Sequence, residues 1–580
     1  MCGALRGFTG SAPIRKQGIK ALQETVKIQE AQEHYRNTFE FSKKYWSLTL
    51  SEMILILLLI LGLTLLYWKT AKHYAYWTER NVKQRKQVYF LGDNSKIFLG
   101  KESIYEAVVN IYNAFPNERY MGIYQVWLPT LVVRDPDLIK QLTVKDFDHF
   151  LNHRAFIPEG VDPLWNKNLF ALKDTQWREM RSTLSPSFTS SKMKMIFTLI
   201  SECADDFMNY FLEKGEAHVL EMKDTFTRYT NDVIASVAFG IKCDSVRERD
   251  NVFFTMGTKA TKFGPATNFK FLLYVIAPKL SKLLGIAFFP KEVTQFFFNV
   301  VMQTIQMRES QGIVRPDMLN LLLEARKNKN ISDLETNTSN GSTCTTSKES
   351  NTNKEDKAAK HYLSDMDIVA QALVFFFGGF ESVATLMSFA AYELTLNPEC
   401  QRELQTEIDE TLKECNGQLT YEAVMKMKYM DMVLSETLRK WPAAVVTDRV
   451  CSKDYTIEPI HSHEKPIHLK TGDLIWIPIC GIHNDPKYYP DPEKFNPMRF
   501  SDDNKANLNP YTYLPFGTGP RNCIGSRFAL METKTILFYM LLKFDLNICK
   551  KTDIPIQLNK KAMQLITKNG IWIELKPRIK

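Results

Sequence analysis

Phe516-Gly517-Thr518-Gly519-Pro520-Arg521-Asn522-Cys523-Ile524-Gly525 sets one cysteine in a glycine-rich turn, directly before an apolar helical pattern that begins at Arg527. The chain holds 10 cysteines, but they form no Cys-x-x-Cys pair and no compact cluster able to close a zinc site. Such scatter fits a reducing compartment, in which one thiol is special and the others behave as small buried hydrophobes. An inert core cysteine would also satisfy this stretch, so the weight falls on residues elsewhere in the chain.

Three of those patterns stand out. Glu436-Thr437-Leu438-Arg439 puts two charges on one helix face by i, i+3 spacing. A helix predicted from about Ser364, capped by that hydroxyl and by Asp367, runs through Phe375-Phe376-Phe377-Gly378-Gly379-Phe380-Glu381-Ser382. Two adjacent glycines inside a helix cost about 1 kcal/mol each relative to alanine, a penalty that suggests a purpose. Trp177 and Arg181, four residues apart, share the face of another helix. Each is ordinary by itself: Glu-x-x-Arg is usually a solvated face, and a glycine pair is usually a packing device.

Together these residues resemble the cytochrome P-450 family. Its haem-binding signature of Phe, two residues, Gly, one, Arg, one, Cys, one, Gly is matched at every fixed position by Phe516, Gly519, Arg521, Cys523 and Gly525. The resemblance covers roughly residues 69–580. Through Phe376-Phe377-Gly378-Gly379-Phe380-Glu381-Ser382 and Arg315-Pro316-Asp317-Met318 it is nearest to the microsomal enzymes by which insects oxidise foreign compounds.

The resemblance implies a mainly α fold with a small β-sheet region, the cytochrome P-450 fold, preceded by an N-terminal transmembrane helix. It also implies haem b, iron protoporphyrin IX, with Cys523 as the axial thiolate; such a donor favours O–O cleavage. Coordination would remove the thiol proton, and turn amides would tune the sulfur. Phe516, Gly517 and Gly525 would belong to the cofactor cradle, the glycines letting backbone approach the porphyrin. Arg521, Trp177, Arg181 and Arg449 would meet the propionates. Glu436, Arg439 and Arg499 would form a buried salt-bridge network behind the haem. Glu381 and Ser382 would be the acid–alcohol pair that relays protons across a loosened distal turn. Ser382 departs from the usual Thr, keeping the hydroxyl and losing the β-methyl.

Outside the motifs, the run 53–68 carries only Gly62 and Thr64 among apolar residues and reads as membrane-embedded. Lys69, Lys72, Arg80, Lys83, Arg85 and Lys86 follow it, against Arg36, Lys43 and Lys44 before, which predicts a cytosolic C-terminal part. The domain reading is therefore an extension at 1–47, an anchor at 48–68, a basic linker at 69–87 and a haem domain at 88–580. Residues 328–360, rich in Asn, Ser, Thr and Lys, read as a disordered insertion. Arg6, Arg15, Lys16 and Lys20 open the chain as a mitochondrial presequence does, while Glu24, Glu30, Glu33 and Glu40 do not suit one. A true start at Met53 is the other reading of that extension. Extended segments are predicted at 120–127 and 131–134, with Pro129 in the turn between them.

A net charge of +9 from 74 basic and 65 acidic side chains favours anionic lipid or an acidic protein and does not point to nucleic acid. The expected function is insertion of one atom of O2 into a lipophilic molecule. NADPH-cytochrome P-450 reductase would deliver the electrons, with cytochrome b5 as a second donor, at the endoplasmic reticulum membrane; the mitochondrion is the alternative location. The resemblance implies a pocket drawn from 152–170, 377–382, 443–447 and 563–566, whose side chains are mainly aromatic and aliphatic and favour an apolar substrate. The phenylalanine-rich stretch 253–300 reads equally as core or as a membrane-dipping patch. Two rivals are a redox-independent haem-thiolate isomerase or dehydratase and a non-catalytic haem-binding membrane protein. The intact Glu381–Ser382 pair speaks against the first.

Overall fold

The computed structural model describes residues 12–86, 88, 91–261, 264–315, 317–326 and 363–578. The proposed insertion at 328–360 lies outside them. The chain divides at Ala75. Before that point, helix α1, Ala12–Tyr74, runs unbroken for 63 residues. Its part Leu50–Tyr74 is long and apolar enough to cross a membrane, and the most apolar stretch of it is not buried. Leu55, Leu59 and Leu61 are more than half exposed, as side chains meeting lipid would be.

Tyr76–Lys580 forms the larger compact unit, which therefore takes in residues the sequence reading assigned to a linker ending at 87. Trp77 explains why. Its indole is 1% exposed, donates to the Ile123 carbonyl at 3.0 Å, and lies where a Cβ on Gly122 would meet ring atoms at 2.2 Å. Among the described residues the unit has nine strands: β1 Tyr120–Gln125, β2 Leu128–Val133, β3 His218–Glu221, β4 Thr447–Val450, β5 Tyr455–Ile457, β6 Ile467–Leu469, β7 Leu474–Ile477, β8 Phe544–Asn547 and β9 Trp572–Pro577. They make a four-stranded sheet in the order β1-β2-β7-β4, a three-stranded sheet β3-β9-β8 and the hairpin β5-β6. Pro129 is not in the β1-β2 turn. It pairs with Tyr124 inside β2, and β2 takes up its second partner only at Thr130, opposite Leu474, so the missing N–H of Pro129 interrupts no β2-β7 bond. Val126, at φ 62°, makes the turn instead.

Helices surround these sheets: α2 Asp174–Leu184, α3 Ser190–Leu212, α4 Met222–Ile234, α5 Pro265–Ile276, α6 Pro278–Leu283, α7 Asp365–Leu396, α8 Lys428–Lys440 and α9 Ser526–Lys543. Helix α7 is also apolar enough to span a bilayer, but two-thirds of its most apolar stretch is buried, so it is the core helix. Its N-terminus has the expected box: the Asp367 amide donates to Ser364 Oγ at 3.2 Å, and the Ser364 amide to Asp367 Oδ2 at 2.9 Å. The phenylalanine-rich stretch divides between its two readings. Phe288, Phe289 and Phe297 are buried in the core, whereas Phe269, Ile276, Leu280, Leu283 and Leu284 stand exposed on and just after α5 and α6. Replacing Trp77 by Ala should remove about 3–5 kcal/mol from the stability of the Tyr76–Lys580 unit, read as a lower midpoint in chemical denaturation at constant slope.

Candidate active site around Cys523

The loop before α9 is closed by its own backbone. Gly517 N–H donates to the Leu514 carbonyl at 3.0 Å, Cys523 N–H to the Phe516 carbonyl at 2.9 Å, and Asn522 N–H to the Gly519 carbonyl at 3.0 Å. Gly517 and Gly519 both sit at φ 72°, where an L side chain is strained. A Cβ on Gly519 would also lie 2.0 Å from the Thr143 carbonyl. Gly525 differs: its φ is −92°, and a Cβ there would meet only Phe188, at 4.0 Å. Protein packing alone does not require it to be glycine.

Cys523 is walled in by protein, yet its surface is open. The two facts agree only if the thiol faces a hollow inside the fold. Burial pushes the thiol pKa up, while the Gly525 amide and the Arg181 guanidinium oppose that rise. The other seven described cysteines are free as well, but only this one is exposed.

Behind the loop, Glu436 and Arg439 on α8 are wholly buried and meet twice, at 2.8 and 2.9 Å. Arg499 Nε reaches Glu436 Oε1 at 3.3 Å, and the Asn496 amide donates to the same oxygen at 3.0 Å. Arg439 spends its remaining donors on the His483 and Pro492 carbonyls. The three charges thus come together in one cluster. A residue that reading missed ties them to the cysteine loop. His483 Nε2 accepts from the Leu514 amide at 2.8 Å, which leaves Nδ1–H to donate to the Arg439 carbonyl at 3.1 Å. Burial, and then the nearby Arg439, hold its pKa down at about 3, so the ring is neutral.

Three guanidinium groups gather on the other side of the loop. Arg181 donates to the Asn522 carbonyl at 3.0 Å and to its side-chain oxygen at 2.9 Å. Arg449 on β4 donates to the Thr518 carbonyl at 3.2 Å, and its buried Nε has no partner among the described residues. Arg521 donates to carbonyls of Leu151, Leu169, Phe170 and Leu172 and stacks on Trp177, 4.3 Å from the ring centre. Burial, then repulsion from Arg449, pushes the Arg521 pKa down to about 9; burial takes Arg449 to about 10. Asp448 is the carboxylate they share, and it also pairs with His153 at 3.0 Å. The cluster is short of negative charge.

On α7 the helix stays regular through Gly378 and Gly379, so the loosened turn expected there is absent from the described backbone. A Cβ on Gly379 would touch Ile234 at 3.0 Å and Phe528 of α9 at 4.0 Å, while Gly378 has open space beside it. Ser382 donates to the Gly378 carbonyl at 2.5 Å. Gly378 and Ser382, one turn apart, are the exposed face of an otherwise buried segment. Glu381 points elsewhere, because successive helix residues lie about 100° apart. Lys223 on α4 takes its carboxylate at 3.0 Å, and also the Glu381 carbonyl at 2.9 Å and Thr385 Oγ1 at 2.8 Å. Burial lowers the Lys223 pKa.

The family model for cytochrome P450 matches residues 94–573. The chain belongs to the cytochrome P450 family. "Cytochrome P450 9e2" of Blattella germanica is 44% identical over 551 residues, 92% of this chain and 98% of the relative. "Probable cytochrome P450 9f2" of Drosophila melanogaster is 42% identical over 523 residues, 88% and 96% of the two chains. "Cytochrome P450 6k1" of Blattella germanica is 37% identical over 527 residues, 90% and 96%. The chain is a P450 monooxygenase, and P450 proteins carry a thiolate-ligated haem b. The residues present fit that group: an open thiol in a glycine turn, an unpartnered Arg449 Nε, and crowded guanidinium groups that a dianionic porphyrin would neutralise.

Among the residues sequence reasoning missed, His483 lies in Gly481-Ile482-His483-Asn484 and Lys223 at the start of a helix, and neither context carries a signal of its own. Replacing Glu436 by Ala strands two guanidinium groups and should cost about 3–5 kcal/mol in denaturant titration. His483 is held neutral, with a folded pKa below its unfolded value near 6.5, so its contribution is complete above about pH 6.5 and is lost as pH falls towards 3. Over that window stability should drop about 1.4 kcal/mol per pH unit more in wild type than in His483→Gln, compared by denaturation at a series of pH values.

Proposed function

We propose that Cys523 holds haem iron as a thiolate and that the enzyme inserts one oxygen atom of O2 into lipophilic small molecules, foreign compounds among them. NADPH-cytochrome P-450 reductase supplies electrons, with cytochrome b5 as a second donor, at the endoplasmic reticulum membrane. What carries this reading is the Cys523 thiol, enclosed by protein yet open to a hollow and flanked by cations lacking counter-charge. Thiolate-ligated haem supplies dioxygen activation and oxygen transfer when bound.

The chain's own residues do the rest. The Gly525 amide donates to the sulfur and, with Arg181, favours its anion. Arg181 and Arg449 offer donors to the propionates, while Arg521, engaged with four carbonyls, holds the 151–172 segment against the loop. Glu381 and Ser382 move protons on the distal side. Ser382 presents its hydroxyl on the exposed face of α7, and the absent β-methyl leaves that hydroxyl freer to turn away from the Gly378 carbonyl. Glu381 exchanges protons with water once its carboxylate swings off the Lys223 ammonium. An aromatic wall excludes water from the substrate side: Trp165 meets Phe288 at 5.1 Å and Phe377 at 6.0 Å between ring centres, edge to face. The apolar stretch of α1 anchors the protein in lipid, and the exposed Leu283 and Leu284 make a second contact.

A Cys523→Ala protein should lose the thiolate-type carbon monoxide band of the reduced enzyme together with oxygenation of a test substrate. Undiminished oxygenation would refute the assignment. Glu381→Gln should retain that band and slow turnover by about 10²-fold, because it removes a proton carrier and leaves the cysteine side untouched. A turnover equal to wild type would remove Glu381 from the relay.

A further inference from the structure

At Leu169 both backbone groups are taken, and by different elements. Its N–H donates to Gln371 Oε1 on α7 at 2.9 Å, while its carbonyl accepts from Arg521 of the cysteine loop at 3.4 Å. Gln371 makes a second bond from the other end of its amide, Nε2 donating to the Lys167 carbonyl at 2.7 Å. The residue is 0% exposed, and its side chain serves as donor and acceptor to backbone groups two residues apart. An amide buried this fully is costly to leave unpaired, so the 167–169 backbone is held to α7 in one register.

The place of Gln371 along α7 gives that clamp its meaning. Gly378 and Ser382 follow seven and eleven residues later, which at about 100° per residue returns both to within about 20° of the face that Gln371 occupies. One stripe of the helix is therefore covered by the loop at Gln371 and exposed at Gly378 and Ser382. Aromatic residues flank the clamped backbone on both sides. Trp165 meets Phe377 of α7 edge to face at 6.0 Å, and Phe170 lies 6.0 Å from Trp165 and stacks on His153 at 5.1 Å between ring centres. Both bonds of Gln371 go to backbone, so it acts on these rings only through the loop that carries them.

We propose that Gln371 is a positioning residue: through the 167–169 backbone it fixes where the Trp165 and Phe170 rings stand relative to the open face at Gly378 and Ser382, and so how tightly a long apolar molecule is seated there. The inference deepens the monooxygenase reading and rests on it for what is seated; the clamp itself does not require haem. A wall already held in place binds better than one that its ligand must order.

The test is a titration of the full-length, haem-loaded enzyme with imidazole and with 1-dodecylimidazole, read as the shift of the haem absorption band. The two share an iron-binding nitrogen, and only the second has a chain for the rings to hold. In wild type the dodecyl compound should half-saturate at a concentration at least about tenfold lower. Gln371→Met should raise that concentration at least about fivefold and move imidazole by less than about twofold. Gln371→Glu, which still accepts the Leu169 amide but cannot donate as an anion, should fall between. Gln401, on the helix Pro398–Glu414, is the same device placed elsewhere: it is buried, accepts the Leu546 amide of β8 at 2.8 Å and donates to the Leu546 carbonyl at 3.0 Å. Gln401→Met should leave both ligands within about twofold of wild type, which separates positioning from lost stability. Equal affinities for the two ligands in wild type would overturn the proposal. So would a Gln371→Met enzyme, folded by its carbon monoxide band, that binds the dodecyl compound as wild type does, or a Gln401→Met enzyme that loses it equally. A missing thiolate band in wild type speaks to Cys523 alone. The clamp is then decided by hydrogen exchange of the Leu169 amide, expected to be faster in Gln371→Met, and an unchanged rate overturns it.

Discussion

A loop built largely from glycine, proline and small polar residues has little with which to hold itself in place, yet Cys523 must face the hollow at a fixed position. The restraint comes from a continuous run of short hydrogen bonds. It starts at the buried Glu436–Arg439–Arg499 cluster, passes through the neutral ring of His483 to the Leu514 amide, and closes through the Gly517 and Cys523 amides. A buried ion cluster is a poor source of net stability, because desolvation consumes most of its Coulomb energy. Its value here is directional. Every donor and acceptor in the run is satisfied only when the loop sits in one register, so a displacement of the sulfur leaves charges unpaired in a dry interior.

Electrostatics differ between the two sides of the loop. Behind it, Arg439 and Arg499 both meet the Glu436 carboxylate directly, and His483 is kept uncharged so that it can accept from one amide while donating to a carbonyl. Beside it, Arg181, Arg449 and Arg521 crowd together, with Asp448 acting on the last two; burial depresses the pKa of all three, and repulsion from Arg449 adds to that of Arg521. A fold that tolerates such an imbalance is arranged for an anionic partner. The distal helix repeats the division within two residues: Glu381 is neutralised by Lys223, while Ser382 next to it opens onto free space.

Much of this was legible from residue order, because several devices are local. The cysteine signature, the capping box at Ser364 and the i, i+3 spacing of Glu436 and Arg439 need only a turn or two of backbone to take shape. Other expectations failed or were incomplete where a neighbour distant in sequence intervened. Pro129 reads as a turn residue because proline favours turns, but β2 gains its second partner only at Thr130, so the proline is accommodated within the strand. The glycine pair in α7 reads as a loosened turn, yet Gly379 is small because Ile234 lies against it. The phenylalanine-rich stretch shows no period that separates its buried rings from its exposed ones.

The amino-acid sequence by itself determined the family, the glycine-rich turn around Cys523, the apolar helix before the large unit, and the identity of the three clustered charges. Those properties depend on residue type and short spacing, which survive without knowledge of the fold. Tertiary structure alone decided that His483 links the charge cluster to the cysteine loop and that Lys223 engages Glu381. Each of those pairings joins residues from separate elements, Lys223 and Glu381 being 158 positions apart in the chain. Whether a side chain is matched or left wanting a partner depends on what packing brings beside it, and no local pattern encodes that.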